Sequence, residues 1–379
     1  KYDGPRELKA NELFTAVFTF TLGQPIQPGG RILLATRHVS DMSDPQVDDP
    51  ACENYVTITR PEGICWKLGR IEDGKRHPWN RGIEFELAEG TVKAGETITI
   101  ILGDKSKGCP GYRSQSFVET SFHFRAAVFP GGKTDWEIMP EDYLPAIRIT
   151  GNRCVAVKAS VLRPTEQKSK RTICLKPEDT YGNVAGDVPG EVIVLDGNKP
   201  VGNVVLEPSR TAKLDTGITN GPAWRTITVT SRDGAVWAKS NPFGPSPVSG
   251  HNLYWGEIHC QSGLCDGTNS PKELYEYARN AAGLDFASVT SHDFELTAAD
   301  WEEIRKATRE AHKPGEFVTF LGVEWSGGVP VGGDNNIYFL DDDGPLVYYA
   351  PRKPYPGWDP AGGEVNVSQN LTQAIASLK

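Results

Sequence analysis

The chain has 379 residues, 38% of them hydrophobic, which is enough apolar material for two or three domains with separate cores. A formal net charge of −9 and a pI of about 5.4 exclude the basic surface that unspecific nucleic-acid binding requires. No apolar run reaches the roughly 18–20 residues of a membrane-spanning helix.

Residues 1–150 read as an all-β, sandwich-like domain. "LFTAVFTFTLG" (13–23) alternates apolar and polar positions with β-branched and aromatic residues, as a half-buried strand does. "RILLATRH" (31–38) and "ETITIILGD" (96–104) repeat the pattern between loops such as "GQPIQPGG". "GDKSKGCPGYRSQS" (103–116) reads as a long loop, and "FHFRAAVFP" (122–130) resumes a strand. Residues 151–245 read as a smaller, Ig-like β domain, with strands in "CVAVKASVLRP", "RTICLKPEDTYGN", "GEVIVLDGN" and "WRTITVTSRDGAVWAKS". "NPFGPSPVSG" (241–250) is a linker by composition.

From residue 251 the rhythm changes to alternating strands and helices. "LYWGEIH" (253–259), "LDFASVT" (284–290), "EFVTFLGVEW" (316–325) and "NNIYFLD" (335–341) predict strands. Between the first two lies the helix "SPKELYEYARNAAG" (270–283), with Ser270 as N-cap, Pro271 at the first helical position, Glu273 completing a capping box and Gly283 closing it. "TAADWEEIRKATREAHK" (297–313) predicts a second helix, stopped by Pro314-Gly315. This alternation predicts parallel strands joined by crossover helices.

Seven cysteines cannot all pair within the chain. Cys52 with Cys65, and Cys154 with Cys174, lie in strand-rich regions where a bridge is geometrically possible. Two acceptor-type sequons, Asn366-Val-Ser and Asn370-Leu-Thr, favour an exported protein, periplasmic or secreted, with a cytoplasmic location as the alternative. The chain opens with Lys1 and shows no signal-like apolar region, so it reads as a processed chain or a fragment.

Chemistry collects at the predicted strand ends. His259 ends the first strand, His292 follows the second and Glu324 ends the third. In parallel α/β folds such ends form the rim where sites are built. Asp266 follows the first strand and Asp334 precedes the fourth, both within reach of the same rim. Imidazole with carboxylate oxygen suits Zn, Mn or Fe, and water on such an ion becomes a usable nucleophile near neutral pH. That combination points to hydrolysis. No Ser–His or Cys–His signature is present, and "GGDNN" (332–336) stands in the wrong context for a dinucleotide fingerprint. Cys260 and Cys265 lack the second cysteine pair of a structural zinc site and read as structural.

"YWGEIHCQSGLCDGTNSPKELYEYARNAAGLDFASVTSHDF" resembles the opening motifs of the PHP (polymerase and histidinol phosphatase) superfamily, D-L-H-x-H-S…S-D-G and T-D-H. More narrowly it resembles the DUF3604 family, which also carries motifs like "GVEWSGG" (322–328) and "GGDNNIYF" (332–339). "GDKSKGCPGYRSQSF", "FHFRAAVFPGG" and "EDTYGN" look like segments that precede the PHP part in that family. The resemblance implies that residues 251–379 are the N-terminal part of a PHP-type α/β (βα)7 barrel, incomplete here, following the two β domains. It implies His259, Asp266, His292 and Glu324 as ligands of up to three divalent ions, with Gln261 standing where the superfamily has its second His and Asp334 near a later ligand. Ser291 and Glu257 replace aspartates of the superfamily pattern.

The implied activity is hydrolysis of a small-molecule phosphoester by metal-bound hydroxide, with no general acid assigned. The alternative is a catalytically degenerate protein that binds or assembles through its β domains. Either way, the missing barrel strands and ligands are expected from a further C-terminal segment or another chain. His259, His292 and Glu324 are expected to approach one another at one rim.

Overall fold

In the first strand pair the alternation of the sequence becomes burial. Ala16, Phe18 and Phe20 of Ala16–Thr21 are buried while Val17 and Thr19 between them are only partly so. Each buried residue is paired with a buried residue of Thr97–Leu102: Ala16 with Leu102, Phe18 with Ile100 and Phe20 with Ile98. These side chains form one wall of a sandwich core. The other wall comes from a five-stranded sheet that contributes Ile32, Leu34, Ile83, Phe85, Leu87 and Ala126. The expected single strand over 13–23 is two strands, because Leu13–Phe14 pairs with Tyr112–Arg113 and Ala16–Thr21 with a different sheet.

The computed structural model describes residues 1–59, 62–69, 79–132, 136–140, 143–162, 170–219, 221–245, 254–327, 329–349, 366–368 and 372–374. The chain divides into two compact units, Lys1–Thr150 and Gly151–Lys379. The second unit begins with its own β-sandwich. A three-stranded sheet (Ala156–Val161, Thr172–Glu178, Ala212–Asp215) faces a four-stranded one (Glu191–Asp196, Lys199–Val205, Ile227–Thr230, Val236–Lys239). Val157, Ile173, Leu175, Val192, Val194, Ile227 and Val229 fill the space between them.

The remaining layer is an open sheet with helices on one face. Its elements are β1 (Gly256–Cys260), α1 (Pro271–Tyr277), β2 (Phe286–Val289), α2 (Ala298–Ala311), β3 (Val318–Ser326) and β4 (Asp334–Tyr338), with strand order β1-β2-β3-β4. Ser270 caps α1 with the full capping box, and Gly283 closes the segment in the left-handed conformation at φ 68°. Between them, Ala278–Ala282 winds as a π-helix rather than continuing α1. Thr297 and Asp300 form a second capping box on α2. Tyr275, Ala278, Trp301, Ile304 and Ala307 bury Ala287, Val289, Leu321 and Val323 of the sheet. The π-turn packs on the sandwich: the Cys174 thiol donates to Asn280 O at 2.9 Å and Lys213 Nζ to Asn280 Oδ1 at 2.8 Å.

The expectation of a PHP-type (βα)7 barrel, even an incomplete one, is wrong. Strand accounts for 42% of the structure and helix for 12%, and no barrel is found among the described residues. Within the open sheet, β1, β2 and β3 run parallel, but β4 returns antiparallel to β3. Only residues 327–333 separate β3 from β4, too few for a crossover helix and suited to a hairpin. A strand turned back in this way interrupts the βα alternation at β4. Val347–Tyr349 pairs in parallel with Asn366–Ser368 in a separate two-stranded sheet.

None of the seven cysteines forms a disulfide. Cys154 cannot meet Cys174, since Cys174 stands opposite Ser160 at the far end of that strand pair. Of the linker 241–250, residues 246–250 lie outside the described residues, as do Asn370 and Leu371 of the second sequon. Of "NLTQAIASLK", 372–374 are helical and the rest lies outside. Among the described residues no helix is long and apolar enough to cross a membrane.

Candidate functional site

Three strand ends bring the site together. Register slips between Glu257 and Cys260 in β1, and His259 lies on that irregular stretch, its backbone N–H donating to Glu257 Oε1 at 2.9 Å. After β2 the chain runs through buried Thr290 and Ser291 to His292, which begins the short turn Asp293–Glu295. A backbone bridge joins His292 to Glu324 of β3, with Glu324 N–H donating to Ser291 O at 3.1 Å.

The side chains form one run of contacts. Asp266 Oδ2 lies 3.3 Å from His292 Nε2, His292 Nδ1 lies 3.5 Å from Glu324 Oε2, and the same Oε2 lies 3.9 Å from His259 Nε2. Glu324 is buried, His292 nearly so, and the His259 side chain is 51% exposed, which makes it the imidazole open to solvent. Burial pushes the His292 pKa down, but the Asp266 hydrogen bond and the Glu324 and Asp266 charges outweigh it, and the net shift is upward.

Gln261 joins the run differently. Its Nε2 donates to Thr290 O at 3.1 Å and to Glu324 Oε2, while its Oε1 accepts from the Cys265 thiol at 2.7 Å. Asp334 does not enter the run. It is exposed at the start of β4, opposite Ser326, and the β4 residue opposite Glu324 is Asn336.

Residues that the motifs did not single out complete the surroundings. Asn336 places Oδ1 at 3.2 Å and Nδ2 at 2.9 Å from His259 Nδ1, and Thr290 Oγ1 stands 3.3 Å from the same atom. Ser326 Oγ lies 2.7 Å from His292 Nδ1, and its N–H donates to buried Asp293 at 3.0 Å. The signal for Ser326 was present, since a residue two from Glu324 shares its face of the strand. Burial pushes the Cys260 and Cys265 thiols up to about 11.

Two imidazoles and two carboxylates are a donor set that suits a divalent Zn, Mn or Fe ion, and by that chemistry the residues fit one. As placed, they are paired with one another. Among the described residues no three His, Cys, Asp or Glu side chains stand together as ligands of a common ion.

No protein-family profile matches the chain, and no curated protein matches it. Among solved structures it is similar to a chicken TCR, at 8% identity over 64% of this chain and 99% of that one, with a TM-score of 0.21. A beta-glucuronidase of Parabacteroides merdae matches at 10% identity over 81% of this chain and 38% of its own, with a TM-score of 0.17. The adhesin domain of Epf from Streptococcus pyogenes matches at 10% identity over 63% and 75%, with a TM-score of 0.16. Likenesses this slight carry no argument about what the chain does.

Proposed function

We propose that the chain is a metal-dependent hydrolase of the kind its motifs resemble, acting on a phosphoester, with His259, Asp266, His292 and Glu324 holding a divalent ion. The observation that supports this most is the unbroken run Asp266–His292–Glu324–His259, assembled from three separate strand ends. Among the described residues no lysine or arginine pairs with Glu324; its ion-pair partners are the two imidazoles. A bound ion supplies Lewis-acid polarisation of a phosphoryl oxygen and a water acidified towards neutrality. The chain's own residues do the positioning. Ser326 holds Nδ1 of His292, which leaves Nε2, beside Asp266, as the nitrogen that would face the ion, and Asn336 with Thr290 holds the half-exposed His259 ring from behind. The His259 edge is the part of the run that an arriving ester meets first.

The test is phosphate release from p-nitrophenyl phosphate with Zn²⁺, Mn²⁺ or Fe²⁺ added, for the wild type and His292→Ala. Metal-dependent turnover lost in the variant supports the proposal; turnover unchanged in the variant, or none in the wild type with any of these ions, counts against it. A second reading, a degenerate binding module, is favoured by the internal pairing of the cluster. It predicts no turnover and no tightly held metal.

A further inference from the structure

We infer that Gln261 is a positioning residue for Glu324 and not a ligand, its amide locked with the nitrogen towards the site and the oxygen turned away. The inference rests on the proposed metal site for its functional meaning, while the orientation itself rests on two neighbours. Thr290 O and the Glu324 carboxylate can only accept hydrogen bonds, and both face the Gln261 Nε2. On the other side stands the Cys265 thiol, fully buried and 2.7 Å from Oε1, where the neutral S–H is the donor. Turning the amide over would set its carbonyl against two acceptors. That arrangement loses the two hydrogen bonds to Thr290 and Glu324, so these two acceptors decide the orientation.

The backbone of Gln261 is held as firmly. Gly267 passes so close that a Cβ there would lie 2.0 Å from Gln261 O and 2.4 Å from its carbonyl carbon. Only the oxygen of a glutamine side chain can ligate a metal ion, and here it is engaged by Cys265. What Gln261 gives the site is a hydrogen bond that fixes Glu324 Oε2 between His259 and His292. Outer partners of this kind set the orientation of a ligand without touching the ion.

The experiment is nuclear magnetic resonance of the full chain labelled with ¹³C,¹⁵N-glutamine, with the Gln261 signals identified by their absence in Gln261→Leu. In ion-free protein the Gln261 side-chain amide protons are expected to exchange at least about tenfold more slowly than those of exposed Gln27. In Cys265→Ala that protection is expected to fall, because the carbonyl loses its donor. On saturation with Zn²⁺ the Gln261 ¹³Cδ resonance is expected to stay in place. Amide protons exchanging as fast as those of Gln27, or a ¹³Cδ resonance displaced by Zn²⁺, would overturn the inference. Failure of the wild type to take up Zn²⁺ would count against the metal site instead, and the ion-free exchange would still decide the amide's orientation.

Discussion

His292 and Glu324 are joined twice, by a backbone bridge between their strand ends and by 3.5 Å between Nδ1 and Oε2. The bridge fixes the separation of the two Cα atoms, which leaves only the side-chain rotamers to bring ring and carboxylate together. A third group completes the arrangement, since Ser326 Oγ stands 2.7 Å from the same Nδ1.

Replacing Ser326 by Ala removes that hydroxyl and leaves the backbone bridge intact. Zn²⁺ affinity is expected to fall about tenfold to a hundredfold, as for other outer partners of ligating histidines. Calorimetric titration measures it, and an unchanged urea midpoint alongside shows that the fold is kept.

The two faces of β3 make opposite predictions. Trp325 is fully buried against Val347 and Ala374, so Trp325→Ala is expected to cost about 3–5 kcal/mol. Phe320 is 39% exposed on the other face and meets Phe286 edge-on at 6.1 Å. Phe320→Ala is expected to cost about 1 kcal/mol. Denaturant unfolding of both variants checks the ordering.

Gly267→Ala drives a methyl group into the Gln261 carbonyl and is expected to destabilise by about 1–3 kcal/mol. Gly217→Ala is the control, because a Cβ there meets nothing within 4 Å and its cost is expected to be near zero. Comparable melting temperatures for the two variants would contradict the close approach.

Asp104 gives the first unit an acid-sensitive point. Partial burial pushes its pKa up, but donors from Ser106 N–H at 3.0 Å and the Thr57 hydroxyl at 2.7 Å outweigh this and hold it below 3.8. The folded state therefore binds this proton more weakly than the unfolded chain. The stabilisation is present above about 3.8 and is lost as pH falls through the lower folded value. Urea midpoints at about pH 5 and about pH 3 are expected to differ less in Asp104→Asn than in the wild type.

The elements with local chemistry were legible in the sequence. Ser270, Pro271, Glu273 and Gly283 each do in the structure what their types do at helix ends, and Thr297 caps α2 in the same way. The π-turn over Ala278–Ala282 left no sign, because its longer hydrogen bonds ask for no particular residue. Lys199–Val205 escaped notice because Pro200 and Gly202 interrupt its pattern. The direction of β4 was legible in principle from the short stretch 327–333, and the family motifs outweighed it. In the site, residue types pointed to His259, Asp266, His292 and Glu324. The orientation of Gln261 depended on Thr290 and Glu324, which only the fold places beside it.

The most direct test of the proposed metal site is the metal content of protein purified without chelators. Plasma mass spectrometry is expected to find stoichiometric Zn, Mn or Fe in the wild type and to find it lost in Glu324→Gln, which keeps the shape of the side chain and removes the charge between the two imidazoles. A wild type free of these metals, or a variant holding as much as the wild type, would contradict the account.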